Sequence, residues 1–130
     1  MTTTATALKS HPVFNDSKAE AFAGRLLGAL NNSALVLMTS IGHRTGLFDH
    51  LAEISPCTSG ALAAEAGLAE RYVREWLAVM VTSAVVDYEA ATKTYHLPAE
   101  HAAFLTRASP SNVAVTSQFL GVTAGVEDEI

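Results

Sequence analysis

Val73, Trp76, Leu77, Met80, Val81 and Ala84 stand at i, i+3, i+4, i+7, i+8 and i+11, a spacing that gathers them into one apolar stripe only if the segment is an α-helix. Immediately before this helix, "LAAEAGLAE" (Leu62 to Glu70) offers Leu62 and Ala66 as inward-facing positions, Gly67 as a turn residue and Leu68 as a plug for the corner. Pro56, with Thr58 or Ser59 as an N-cap, starts the shorter helix that carries them. Two helices joined by so tight a turn are a helix-turn-helix, and the rest of the chain has to be arranged around it.

Downstream, "VVDYEAATKTYHL" (Val85 to Leu97) has β-branched and aromatic residues on either side of a polar centre. This pattern predicts a hairpin whose loop lies around Ala90 to Lys93. A helix-turn-helix followed by a small hairpin is a winged helix, so the expected fold is mainly α with a two-stranded wing. Pro98 opens a short helix through Leu105, Arg107 to Asn112 form a loop, and a final helix from Asn112 to Thr123 has weak propensity because it is rich in Val, Thr and Ser.

Upstream, Asn15, Asp16 and Ser17 are candidate caps for a helix that begins near Ser17 and repeats Phe22, Leu26, Ala29 and Leu30 at about one turn. Asn31, Asn32 and Ser33 interrupt this pattern and predict a kink or break. "ALVLMTSI" (Ala34 to Ile41) is then apolar around nearly its whole circumference. Such a helix is either surrounded by its own core or shared with a second chain. The second reading makes Leu35, Met38 and Ile41 a dimer interface and the chain a homodimer. His43 and Arg44 are placed to complement the negative end of the helix dipole, with Gly46 as the C-terminal cap, and "LFDHL" (Leu47 to Leu51) suits a short helix. The expected organisation is a loose tail over 1–14 and a winged-helix dimerisation domain over 15–130, ending in a solvated acidic stretch from Glu127 to Glu129.

A winged helix that reads DNA gathers unpaired positive charge on its second helix and wing. Here Arg71, Arg74 and Lys93 are the candidate DNA contacts. Glu75 lies four residues after Arg71 and Glu70 four residues before Arg74, so both arginines have a carboxylate one turn away. Asp87 and Glu89 offset Lys93. With eight Lys and Arg against thirteen Asp and Glu, a net charge of −5 gives little long-range attraction to phosphate. Nucleic acid is therefore not the expected partner.

Catalytic chemistry has no visible constellation. The five histidines are dispersed, and His96 and His101 sit five apart across Pro98 with no cysteine or carboxylate cluster to complete a metal site. Cys57, the single cysteine, follows a proline in a loop with nothing beside it to activate the thiol, and is compatible with a reducing compartment. The chain contains no G-x-G, so a nucleotide-binding turn is not expected. The expectation is no catalytic, cofactor-binding or metal-ligating residues. No uninterrupted apolar run approaches the roughly 18 residues that span a bilayer, and neither a signal segment nor a membrane association is expected, which makes cytoplasmic residence the default.

"ALVLMTSIGHRTGLFDHLAE" (Ala34 to Glu53), "GLAERYVREWLAVMVTSAVVDYEAATKTYHLP" (Gly67 to Pro98) and "EHAAFLT" (Glu100 to Thr106) resemble the N-terminal region of a family of bacterial class I S-adenosylmethionine-dependent methyltransferases. SIGHRTGLFD and RYVREWL carry most of that resemblance, which extends over roughly 15–130. It implies a winged-helix module that pairs subunits and covers the substrate side of a separate methyltransferase domain. The strand and glycine-rich turn that bind S-adenosylmethionine in that family are not among these residues, so the cofactor, and with it the small-molecule substrate, is expected to belong to a domain outside this chain. Two other functions fit the same residues: a small winged-helix DNA-binding transcription regulator, and a free-standing binder of apolar small molecules.

Overall fold

The computed structural model describes residues 12–119. The first eleven residues of the expected tail, the acidic end and the last residues of the expected final helix lie outside the described residues. Among the described residues, five helices run in the order α1 (Asp16–Thr45), α2 (Leu47–Ile54), α3 (Ser59–Ala66), α4 (Glu70–Thr82) and α5 (Ala99–Ala102). Between α4 and α5 lie β1 (Asp87–Glu89) and β2 (Thr94–His96), and a 3₁₀ turn (Ala114–Ser117) follows α5. The contacts divide the chain into two units, one ending at Asn31 and the other beginning at Asn32.

Helix α1 starts where Asn15 Oδ1 accepts the Lys18 amide at 3.0 Å, an N-cap of the expected kind. It does not break at Asn31. The helix continues through Asn31, Asn32 and Ser33, residues of mediocre helix propensity that contain neither the φ restraint of proline nor the backbone freedom of glycine. No uninterrupted apolar run reaches 18 residues, but the two apolar stretches join in one helix. The helix has 30 residues and an 18-residue window of mean hydropathy 1.2, sufficient for a span by length and composition alone.

In the first unit, Phe22, Leu26, Leu27 and Leu30 are all exposed. In the second, Ser40, Gly42 and His43 of α1 are buried, and Leu35 and Met38 pack against the core. Gly42 is there because nothing larger fits. A Cβ at this position would lie 2.5 Å from Phe48 Cε2 and 2.6 Å from Trp76 Cζ2. The two rings meet edge to face with centroids 5.1 Å apart, and the Trp76 indole N–H donates to the Met38 carbonyl at 2.9 Å, which satisfies the ring's polar edge inside an apolar site. Gly46 then ends α1 at φ 75° and α2 begins at the next residue.

The helix-turn-helix forms as its sequence pattern requires. Thr58 Oγ1 accepts the Ala61 amide at 3.1 Å to start α3. At its end Gly67 adopts φ 67°, while the amides of Gly67 and Leu68 close back onto the Ala64 and Ala63 carbonyls, a Schellman ending. Leu68 does not plug the corner; it is 38% exposed, and Ala66 makes the contact with the core instead. Along α4 the stripe behaves as predicted through Val73, Trp76, Leu77 and Met80, which are buried together with Leu47, Phe48, Leu51, Leu62 and Val86. Ala84 lies beyond the helix end at φ 60° and is exposed.

The wing is antiparallel with Asp87 opposite His96, Tyr88 opposite Tyr95 and Glu89 opposite Thr94, and its loop occupies the predicted Ala90 to Lys93. The Tyr88 and Tyr95 rings meet across the strands, tilted, with centroids 4.8 Å apart. A third strip, missed in the sequence, anchors it: Cys57 N–H donates to the Tyr95 carbonyl at 3.0 Å and Tyr95 N–H to the Cys57 carbonyl at 2.7 Å. After the wing, α5 is shorter than expected, and the segment behind it is pinned by Arg107, whose backbone amide and guanidinium both donate to the Asp49 carboxylate, at 2.8 and 2.6 Å.

Candidate functional site

On the face that would meet a DNA groove, both expected helical ion pairs form. Arg71 Nε lies 3.6 Å from Glu75 and Arg74 Nε 3.5 Å from Glu70. Lys93 is exposed at the wing tip in the left-handed region, φ 55°. Tyr72, 69% exposed, lies not on this face but beside Trp76, where it borders a groove with Met38 and Ile41 of α1.

The three residues expected at a dimer seam are divided by the fold. Leu35 and Met38 are half-buried against their own core, whereas Ile41 is 44% exposed, as is its neighbour Leu37 at 55%. Met38 and Ile41 also border an apolar groove of about 370 Å³ with Tyr72, Trp76 and Val79. Leu35 and Thr39 border a second, of about 450 Å³, with Val85, His101 and Phe104, and Val36 and Thr39 a third, of about 420 Å³, with Val113 and Phe119. The part of α1 in the second unit is thus flanked by apolar grooves, and large side chains at their rims, Phe104, Val113 and Tyr72, are exposed.

Titratable groups are placed mainly for structure. His43 is buried, with Nδ1 unpartnered, and burial first, then the Arg107 guanidinium, depresses its pKa, while Asp49 acts in the opposite sense. Arg44 is exposed at that end. His96 Nδ1 lies 3.4 Å from Ser55 Oγ, and His101 Nδ1 lies 2.7 Å from the Val85 carbonyl, to which it donates, so the two do not converge. Cys57 is buried, and loss of solvation pushes its thiol pKa up, which disfavours the nucleophilic thiolate.

One cluster was not anticipated. His50, Glu53 and Glu65 each bring one potential ligand atom to within 4.8 Å of the others. The His50–Glu53 spacing of three on one helix is a visible signal in the sequence, but Glu65 comes from α3, and only the packing of α2 on α3 unites them.

These features define the chain as a winged helix-turn-helix protein, extended at its N-terminus by a long helix. It belongs to the family of Rv2258c-like winged HTH domains, whose model matches residues 33–107. No curated protein matches the chain. Among solved structures, it is similar to the mitomycin 7-O-methyltransferase MmcR, with 27% identity and a TM-score of 0.60, covering 79% of this chain and 30% of that one. The human N-acetylserotonin methyltransferase in complex with SAM aligns with 21% identity and a TM-score of 0.66, covering 88% of this chain and 33% of that one. PigF with SAH aligns with 19% identity and a TM-score of 0.60, covering 85% and 29%. The similarity is to the N-terminal region of S-adenosylmethionine-dependent O-methyltransferases, and the chain spans a third or less of each of these structures.

Proposed function

We propose that this chain is a non-catalytic dimerisation and substrate-covering module of an S-adenosylmethionine-dependent O-methyltransferase whose cofactor is held by a separate domain. The observation that carries the proposal is the apolar surface of α1, where Phe22, Leu26, Leu27 and Leu30 in the first unit and Leu37 and Ile41 in the second are all exposed. Within each unit, apolar side chains left exposed on a helix in this way mark a surface that another surface covers. A second copy of the chain supplies an identical helix, and a two-fold dimer is the commonest way for such a patch to cover itself. A bilayer fits less well. Ser40, Gly42 and His43 at the end of α1 are committed to the winged-helix core, and Asn31, Asn32 and Ser33 would put three polar side chains in the middle of a span.

The apolar grooves beside Leu35, Thr39 and Phe104 give the module a wall against which a non-polar methyl acceptor could rest. The arginines of α4, already paired within their helix, suit a structural role better than phosphate recognition. Light scattering tests the dimer. At tens of micromolar the chain should have twice its monomer mass of 13.7 kDa, and the double substitution Leu37→Lys, Ile41→Lys should return it to monomer with its helical circular dichroism intact. A wild-type monomer under those conditions would overturn the seam.

A further inference from the structure

We propose that His50, Glu53 and Glu65 form a binding site for one divalent transition-metal ion, of which zinc is the chemically best matched. His50 and Glu53 lie three apart on α2 and so project from the same side of that helix, and Glu65 reaches them from the last turn of α3. One nitrogen and two carboxylate oxygens lie within 4.8 Å of one another. A tetrahedral zinc ion with bonds of about 2.0–2.2 Å holds its ligands roughly 3.3–3.6 Å apart, so closure requires movements of about an ångström. Glu53 and Glu65 are exposed and can make them by rotamer changes.

The charges around the cluster point to a cation. Neither glutamate takes part in any of the ion pairs found among the described residues, which join Arg71 to Glu75, Arg74 to Glu70 and Arg107 to Asp49. Two like charges are therefore held close together with no positive side chain between them, an arrangement that a cation relieves. His50, half-buried between them, supplies the nitrogen of the set. Asp49, the adjacent carboxylate on α2, is engaged by Arg107 and does not compete for the ion. A mixed imidazole and carboxylate set suits zinc or manganese better than calcium, which prefers oxygen ligands alone. With three protein ligands a fourth position remains for water or for a group from a partner. The bound ion would tie α2 to α3, the first helix of the helix-turn-helix.

Calorimetric titration of the untagged, chelator-treated chain with zinc chloride tests this directly. The expected result is one equivalent bound in the micromolar range, with an accompanying rise in Tm. Glu65→Gln removes a ligand at an exposed position that makes no hydrogen bond, so its fold should be unchanged by circular dichroism. It should weaken binding by more than about tenfold, since losing even a second-sphere partner of a metal ligand commonly costs that much. His50→Gln should do the same. Absence of saturable zinc binding up to millimolar concentration would overturn the proposal, as would binding that neither substitution alters.

Discussion

Helices α1 and α4 are both rich in apolar residues, yet only one of them closes its apolar face within its own unit. In α4, Val73, Trp76, Leu77 and Met80 are at most 3% exposed and belong to one buried cluster with Leu47, Phe48, Leu51 and Leu62. In the Asp16–Asn31 part of α1, Phe22, Leu26, Leu27 and Leu30 are between 49% and 60% exposed. Periodicity identifies an apolar face in both helices but says nothing about what covers it. A face covered within the chain contributes to folding, whereas a face covered by a partner contributes to assembly, and the two respond differently to mutation.

The sharpest test of that difference pairs Leu77→Ala with Leu30→Ala. Leu77 has no exposed surface, so truncation removes buried methyl groups and leaves a cavity, at a cost of about 2–5 kcal/mol. Leu30 is 59% exposed, and in a monomeric reference state, such as the Leu37→Lys, Ile41→Lys background, its truncation should change stability by no more than about 0.5 kcal/mol. Urea denaturation measures both. Comparable losses in that background would mean that α1 is covered within the chain and would remove the basis for a dimer seam.

How much of this was legible in the sequence depended on whether the cause was local. The turn at Gly67, the cap at Thr58 and the stripe from Val73 to Met80 follow from neighbouring residues, and the structure reproduces them. The continuity of α1 did not, because Asn31 to Ser33 lower helix propensity without forbidding the helix, and the small cost of each is outweighed by propagation on both sides. The role of SIGHRTGLFD was recognisable as a signature but not as a mechanism. Gly42 is required by rings from α2 and α4, His43 is buried rather than exposed at the helix end, and Asp49 finds its partner 58 residues away in Arg107. The His50, Glu53 and Glu65 cluster was hidden for the same reason: its third member arrives by tertiary packing.

Gly42 gives the next largest expected effect and tests where α1 passes from the open to the closed regime. Alanine is the better helix former by about 1 kcal/mol, so on an exposed helix Gly→Ala stabilises. At Gly42 the new methyl would press on Phe48 and Trp76, rings fixed by each other and by the indole hydrogen bond. Overpacking of that kind costs about 1–3 kcal/mol. Gly24, with nothing within 4 Å of its would-be Cβ, is the control, and Gly24→Ala should be neutral or stabilising in the monomeric background. The expected opposition of sign would be lost if Gly42→Ala also raised Tm.

The smallest of these effects is pH-dependent and distinguishes burial of His43 from the charged helix-end role that its position suggests. A cation stabilised by the helix dipole would have a raised pKa, and its contribution would fade as the pH rose. Burial and the nearby Arg107 act the other way, with Asp49 only partly opposing them, so the folded protein holds His43 neutral below the ordinary histidine range. The unfolded chain, with a histidine pKa of about 6.5, then binds more protons than the folded chain between the two values. The stabilising contribution is complete above roughly that pH and is lost as the pH falls through 6.5 toward the depressed folded value. His43→Gln should flatten this part of the profile whatever it does to absolute stability, because glutamine does not titrate. The measurement is the difference in Tm between wild type and His43→Gln at a series of pH values from neutral to mildly acidic, which cancels the other histidines and carboxylates to first order. A wild-type advantage that shrinks on acidification supports a buried neutral imidazole; an advantage that grows on acidification would mean that His43 is protonated in the folded chain and caps α1 as a cation.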